Sequence, residues 1–249
     1  MLLGIVPEEN VKQKWERNID RMPLGRMRDN YYKRLWERLC GLAKGATHPK
    51  LLDIGCSDGT LSLMFGRECR AQQVHGTDIV AASVEAARAQ GVMAELVNTD
   101  ERPLPYHDNT FDAVLCNQVL EHVAHPDKLI GEMRRVLAQG GTLYISVPNL
   151  CALHNRLFVL LGWQPTTIPV SEVFTYGNPL VKEEPIFEGS RHINGFSPMA
   201  LRDMLRLNGF EIAAYRGLGI YPLPLWLAGP IGRLFPGLCV YQLVKARKR

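Results

Sequence analysis

The 249-residue chain contains no C-x-x-C pair, no H-E-x-x-H and no G-x-G-x-x-G. The first two absences remove the common zinc patterns, so no metal site is expected, and the third removes the dinucleotide fingerprint. Its six cysteines, at 40, 56, 69, 116, 151 and 239, are scattered, unlike the dense framework of a small secreted domain. A reducing, cytoplasmic setting is the simplest reading. No stretch reaches about eighteen uninterrupted apolar residues, which argues against a spanning helix. The opening MLLGIVPEEN has no basic region and turns acidic at Glu8, so it does not read as a signal peptide. Repeats and low-complexity segments are missing too. Charge of one sign is scarce: the net charge is +4, and part of it falls in Lys245–Arg249, which reads as a solvated tail. There is no RNA-binding signature of interleaved aromatic and basic residues, so nucleic acid is not expected as a partner.

What is present is an ordinary globular composition, 46% hydrophobic and 22% charged, sufficient for one large core. Residues 1–47 form an N-terminal helical lid in this reading, with a helix over 11–44. Trp15, Tyr31, Tyr32 and Trp36 read either as a cover for a ligand or as core packing. From Lys50 the pattern alternates. Strands are predicted at Leu51–Ile54, Gln73–Thr77, Ala94–Val97, Phe111–Cys116 and Thr142–Val147. Helices fall at Thr60–Glu68, Ser83–Gln90 and Pro126–Ala138, the last stopping at Gly140–Gly141. Strands separated by helices imply βαβ units and a parallel sheet, hence an α/β fold. Residues 150–197 break the pattern with an apolar helix near Ala152–Leu161 and a proline-rich loop, read as a cap over the acceptor. Ser197-Pro198 caps a helix over Met199–Asn208. Phe210–Tyr215 and Leu238–Val244 complete the strands. Between them, residues 218–237 form an apolar insertion broken by prolines.

The strongest signal is LLDIGCSDGT at Leu51–Thr60. A buried strand delivers Asp53, and a loop with Gly55 and Gly59 then opens a helix. Glycine lets main chain lie against a ligand, and the helix start offers free N–H groups to an anionic end. Asp78 closes the second strand, where a carboxylate can accept both hydroxyls of a ribose. Asp100 follows the third strand, where an acid can take the amino group of an adenine. Each aspartate alone also reads as a turn or cap residue. Three acids behind three successive strands and one glycine loop are harder to explain that way.

LLDIGCSDGT, TDIVAASVEAAR, TDERPLPYHDNTFDAVLCNQVLEHV and MRRVLAQGGTLYISVPN together resemble the class I S-adenosylmethionine-dependent methyltransferases, particularly the bacterial branch around the ubiquinone-biosynthesis O-methyltransferases. The similarity is close over residues 48–149 and looser through Arg191–Ile212. It implies a doubly wound, Rossmann-like, seven-stranded and mostly parallel sheet over residues 48–249, with helices on both faces. It implies S-adenosylmethionine as cofactor, with S-adenosylhomocysteine as product. Asp53, Gly55 and Gly59 would hold the methionine portion, with Cys56 and Ser57 in the same loop. Asp78 and the adjoining Ile79 would meet the ribose side, Asp100 and Glu101 the adenine, and Asn117 would pass beside the cofactor. The family's middle glycine is Ser57 here. Cys56 and Cys116 read as packing residues.

A hydroxyl acceptor benefits from a general base near neutral pH, a task suited to histidine. The candidates are His122, in QVLEHV after the fourth strand, and His154 and His192 in the inserted region; His125 reads as a turn residue. The acceptor is expected to be a small molecule, methylated at oxygen on a quinone, lipid-linked or glycan intermediate. Trp163, Phe174, Tyr176 and Phe187 read either as its pocket or as a minor core. Tyr221–Pro236 reads as a peripheral membrane contact, a dimer contact or a packed connection. The alternative functions are a non-catalytic S-adenosylmethionine-binding protein of this fold and a nicotinamide-dependent oxidoreductase.

Overall fold

The computed structural model describes residues 25–171, 174–180 and 191–249. Trp15, Phe187 and the first part of the expected N-terminal helix lie outside them.

The chain runs α1 (Gly25–Ala43), β1 (Lys50–Ile54), α2 (Thr60–Glu68), β2 (Gln73–Asp78), α3 (Ala81–Ala89), β3 (Met93–Leu96), β4 (Phe111–Asn117), α4 (Pro126–Val136), β5 (Leu137–Pro148), α5 (Leu153–Leu160), α6 (Pro198–Leu207), β6 (Phe210–Leu218), α7 (Leu225–Leu234) and β7 (Tyr241–Lys248). The strands form one seven-stranded sheet in the order β3-β2-β1-β4-β5-β7-β6. β1 to β5 pair in parallel. β7 is antiparallel to both its neighbours.

Central parallel strands are covered on both faces and so are apolar throughout. Alternate residues therefore feed two cores. Leu52, Ile54, Val114, Cys116, Leu143 and Ile145 pack with α4 and α6 on one face. Leu51, Leu115 and Tyr144 pack with Leu35, Leu39 and Phe65 from α1 and α2 on the other, and Trp36 joins that cluster half-buried. Strand order reverses between β1 and β4, leaving a crevice at their carboxyl ends where open α/β sheets bind ligands.

The structure departs from the sequence reading in three places. The helix expected to reach Ala138 ends at Val136, because Leu137 leaves it to pair with Phe111 in β4. The stretch Lys245–Arg249 is not a solvated tail. Lys245–Lys248 continue β7: Lys245–Arg247 pair with β5 on one side and β6 on the other, and Lys248 pairs with β6. Lys248 is only 8% exposed, and its Nζ donates to the Leu137 carbonyl at 2.6 Å and to Asn109 Oδ1 at 2.8 Å. A strand between two others must satisfy main-chain groups on both edges, and basic character is no obstacle once carbonyls meet the ammonium. The proline-interrupted insertion contains a helix, α7, with Pro230 inside it. Ala228 packs against Ile220 and Cys239, while Trp226, Leu234 and Phe235 face outward. No helix among the described residues is long and apolar enough to cross a membrane.

Candidate functional site

The β1–α2 loop lies at the switch point. Gly55 and Gly59 have φ of 72° and 83°, in the left-handed region that favours glycine. Side chains there would also collide: a Cβ on Gly55 falls 2.5 Å from Val119 Cγ2, and one on Gly59 falls 2.8 Å from Val92 Cγ2. Ser57, between them, also has a positive φ, 49°. Its N–H donates to Asp78 Oδ2 at 2.9 Å, which ties the loop to the end of β2.

Asp78 is fixed at both oxygens, since Oδ1 accepts from the Val80 N–H at 2.9 Å. One main-chain donor on each oxygen leaves lone pairs pointing outward, suited to a pair of hydroxyls. Ile79, beside it, is 63% exposed and offers an apolar surface at the rim. Asp53 is buried. Its Oδ2 accepts from Ser62 Oγ at 2.6 Å, whereas Oδ1 has no partner. Burial pushes this carboxyl up to about 7. An orphaned acceptor beneath a glycine loop suits a cationic or N–H-bearing ligand.

The raised pKa has a measurable consequence. Because the folded chain holds the Asp53 proton more tightly than the unfolded one, its contribution to stability is greatest below pH about 4. That contribution is lost as pH rises towards about 7. Above that, an ionised Asp53 costs the fold on the order of 4 kcal/mol. Asp53→Asn is expected to remove most of this loss, stabilising the ligand-free chain at neutral pH but not at pH about 4. Urea unfolding at the two pH values checks it; equal effects at both would overturn it.

Asp100 sits differently from its neighbours. Its carboxylate accepts from the Ala124 N–H at 2.9 and 3.1 Å and from the His125 N–H at 3.2 Å. It therefore holds the turn that leads into α4. Lone pairs remain for a further donor, and a cavity of about 540 Å3 opens beside it. Glu101 is exposed at the same turn. Asn117 ends β4 with its Oδ1 accepting from Ser146 Oγ at 2.6 Å. Gln118 follows with φ 56°, unusual for a residue with a side chain, and is held by Ser146 through its N–H and its amide. That sharp turn carries Val119 over Gly55 and starts the segment Leu120–Val123. Cys56 and Cys116 are buried, and burial raises both thiols well above their ordinary range. They are packing residues here, not thiolates.

The three histidines separate into two groups. His122 and His192 are brought together, edge to face at 4.9 Å between ring centres. His122 Nδ1 lies 2.8 Å from the Arg191 carbonyl and His192 Nδ1 lies 2.8 Å from the Thr167 carbonyl. A carbonyl only accepts, so each Nδ1 carries the proton and each Nε2 presents a lone pair. Burial lowers the basicity of both. His154 is elsewhere, packed against Phe158 and Tyr221 with Nε2 3.3 Å from Thr166 Oγ1. Burial lowers it to about 4. The inserted region is stapled to the rim: the Ile193 and Asn194 N–H groups donate to the Glu121 carbonyl, and Asn194 Nδ2 donates to the Leu120 and Val123 carbonyls.

Glu121 was missed by sequence reasoning. It is 1% exposed, neither carboxylate oxygen has a hydrogen-bond partner, and burial pushes it up to about 8. Its signal lay in QVLEHV, where an acid next to a histidine follows an apolar strand. Nothing in one dimension showed that it points inward. Of the expected pocket aromatics, Trp163 lies against Phe158, and Phe174 and Tyr176 touch each other near the surface.

Residues 52–145 match the family described as "Methyltransferase domain". Over those residues the chain is similar to methyltransferase domains. A ubiquinone biosynthesis O-methyltransferase of Histophilus somni is 29% identical over 154 residues, 57% of this chain and 61% of that protein. One from Xanthomonas oryzae is 35% identical over 106 residues, 40% and 43% of the two chains. A demethylmenaquinone methyltransferase of Thermus thermophilus is 31% identical over 112 residues, 43% of this chain and 51% of that one. The chain thus spans about two-fifths to three-fifths of the length of these curated relatives. Among solved structures, an S-adenosylmethionine-dependent methyltransferase from Mesorhizobium loti superposes with a TM-score of 0.58 at 18% identity, covering 86% of this chain and 97% of that one. The [4+2]-cyclase SpnF superposes at 0.53 with 23% identity, over 86% and 80%. These likenesses establish the doubly wound methyltransferase fold. The orphaned Asp53 oxygen, the bare loop and the outward lone pairs of Asp78 would suit S-adenosylmethionine.

Proposed function

We propose that this methyltransferase domain transfers a methyl group to an oxygen of a small acceptor, a quinone, lipid-linked or glycan intermediate. The observation that carries the reading is the pair of imidazole lone pairs, on His122 and His192, set at the carboxyl rim where Val119 covers the glycine loop. Gly55, Cys56, Ser57 and Gly59 would line the methionine end beside the start of α2, above Asp53. Asp78 would take the ribose, Ile79 the flank of the base, Asp100 and Glu101 its amino edge, and Asn117 would lie alongside. When bound, S-adenosylmethionine supplies a methyl group already activated on a sulfonium. The chain's own part is then to bind and align the acceptor, exclude water and hold a proton. Positioning alone can contribute roughly 7–11 kcal/mol to the barrier reduction. An acceptor hydroxyl at the rim would find a neutral imidazole ready to take its proton, His122 or His192 in preference to His154, whose basicity burial suppresses most. The names of the three relatives, two for ubiquinone and one for menaquinone biosynthesis, support a quinone-like acceptor. The exposed Trp226 and Leu234 on α7, with Phe235 just after it, support a lipid-linked one. Trp226 lines a cavity of about 1130 Å3 whose walls include Arg38, Arg216 and Arg233.

The test is transfer of label from methyl-labelled S-adenosylmethionine to a hydroxylated short-chain quinone. Labelled methyl ether and stoichiometric S-adenosylhomocysteine are expected. A second reading, a cofactor-binding protein that does not methylate, is favoured by the cyclase with the same fold. Tight cofactor binding with no product from hydroxylated quinones, lipid-linked sugars or free glycans would select it.

A further inference from the structure

We infer that the cavity bounded by α1, the end of β6 and α7 binds the phosphoryl head group of an amphiphilic ligand, a lipid diphosphate. The cavity measures about 1130 Å3. Arg38, Arg216 and Arg233 line it from three elements far apart in sequence. Glu37 is the one acid on its described wall, and Arg34 already holds that carboxylate at 2.9 Å. Among the described residues no carboxylate pairs with the other three arginines. Arg216 donates only to the adjacent Tyr215 carbonyl, at 3.1 Å.

Three guanidiniums around one space without a counter-charge repel one another, and a single anion relieves them together. Guanidinium forks match phosphate oxygens two at a time, and two linked phosphates offer enough oxygens for all three. Much of the remaining wall is apolar: Leu218 and Leu243 line it from the sheet and Trp226 from α7. Trp226, Gly229 and Arg233 fall at i, i+3 and i+7 along one side of α7. About 10 Å of helix therefore separates indole from guanidinium, with a bare position between them. Apolar surface beside cations suits a hydrocarbon tail that leaves an anionic head. Glycine keeps the space open. A Cβ added at Gly41 in α1 or at Gly229 in α7 meets nothing within 4 Å. Glycine weakens a helix relative to alanine, and packing requires it at neither position.

The site also has a fixed place on the rim. Arg216 pairs with Leu243, Leu243 with Ser146, and Ser146 with Asn117 at the carboxyl end of β4. Three strand spacings make that separation roughly 14 Å. A ligand anchored at the arginines would therefore bring to the end of β4 a group several bonds removed from its phosphates, such as a sugar of a lipid-linked glycan. Binding of the head group rests on the cavity alone. That the ligand is the methyl acceptor rests on the methyl-transfer reading, and narrows the acceptor to the lipid-linked class.

The experiment is isothermal titration of the full chain with farnesyl diphosphate below its micelle concentration. Inorganic diphosphate and farnesol serve as the partial ligands, and each titration is run without and with saturating S-adenosylhomocysteine. One equivalent of farnesyl diphosphate is expected to bind, about tenfold or more tighter than either partial ligand. Arg38→Gln, Arg216→Gln and Arg233→Gln should each weaken it by about tenfold or more. Gly41→Leu should do the same by filling the space, with a melting temperature no lower than the parent's. No binding to the full chain, or binding unaltered in the folded arginine variants, would overturn the inference. So would displacement by S-adenosylhomocysteine, which would put the diphosphate at the glycine loop. Inorganic diphosphate binding as tightly as the farnesyl ester would make a soluble anion the ligand and overturn the lipid assignment. Farnesol binding as tightly would overturn the phosphoryl assignment. Binding without methyl transfer to a lipid diphosphate-linked glycan would leave the site standing and count only against the acceptor role.

Discussion

Asp78→Ala is expected to lower affinity for S-adenosylhomocysteine at least 100-fold in calorimetry while leaving the far-ultraviolet circular dichroism unchanged. The side chain stands at the end of β2 with both oxygens aimed by main-chain N–H groups, so little is lost in ordering it when hydroxyls arrive. Hydrogen bonds to a charged group are each worth roughly 1.5–3 kcal/mol, and two of them correspond to about two orders of magnitude or more. The substitution also releases the Ser57 N–H, whose tie keeps a non-glycine residue at φ 49°. A left-handed conformation at such a residue costs on the order of 1 kcal/mol, so the loop should relax once unanchored. Asp58→Ala is the control. Its Oδ1 accepts only from the nearby Thr60 N–H, a local turn contact. Affinity within threefold of the parent for Asp78→Ala would show that the ribose assignment is wrong.

Deletion of Lys245–Arg249 should destabilise the chain by roughly 4 kcal/mol or more, enough to leave much of it unfolded. A disposable basic tail would leave the melting temperature unchanged. Lys245–Arg247 are paired across both β5 and β6, and Lys248 is paired across β6. Several ladder hydrogen bonds are therefore lost at about 0.5–1.5 kcal/mol each. Ala246 is fully buried in the larger core, and the Lys248 ammonium closes the Leu137 carbonyl at the junction of α4 and β5. Removing the segment also strands β6 from half its partner and exposes an edge of β5. Denaturant unfolding of the parent and the shortened chain measures the difference. A loss below about 1 kcal/mol would return these residues to the status of a tail.

The two predictions mark where one-dimensional reading succeeds and fails. Gly55 and Gly59 were legible because a left-handed backbone against a neighbouring side chain leaves few other residues possible. Asp53 and Asp78 were legible because each sits one step from an apolar run that only a buried strand explains. Ser197-Pro198 announced α6, and the Ser197 Oγ accepts from the Ala200 N–H at 3.1 Å as the pattern requires. Lys245–Lys248 were not legible: basic residues at a chain end look alike whether they meet water or carbonyls.

Sequence alone determined the periodic part of this protein: seven strands, the glycine loop and the acids behind the first three strands. Each follows from near-neighbour rules of burial, turn geometry and spacing. Only the tertiary structure decided which distant side chains share a space. Glu121 meets His192 across 71 positions because the turn at Gln118 and the hydrogen bonds from Ile193 and Asn194 fold two segments onto each other. It also decided that Asp100 spends its carboxylate on the entry to α4, and that His154 lies apart from the other two histidines. Such encounters depend on loop paths and packing between remote segments, which leave no periodic trace along the chain.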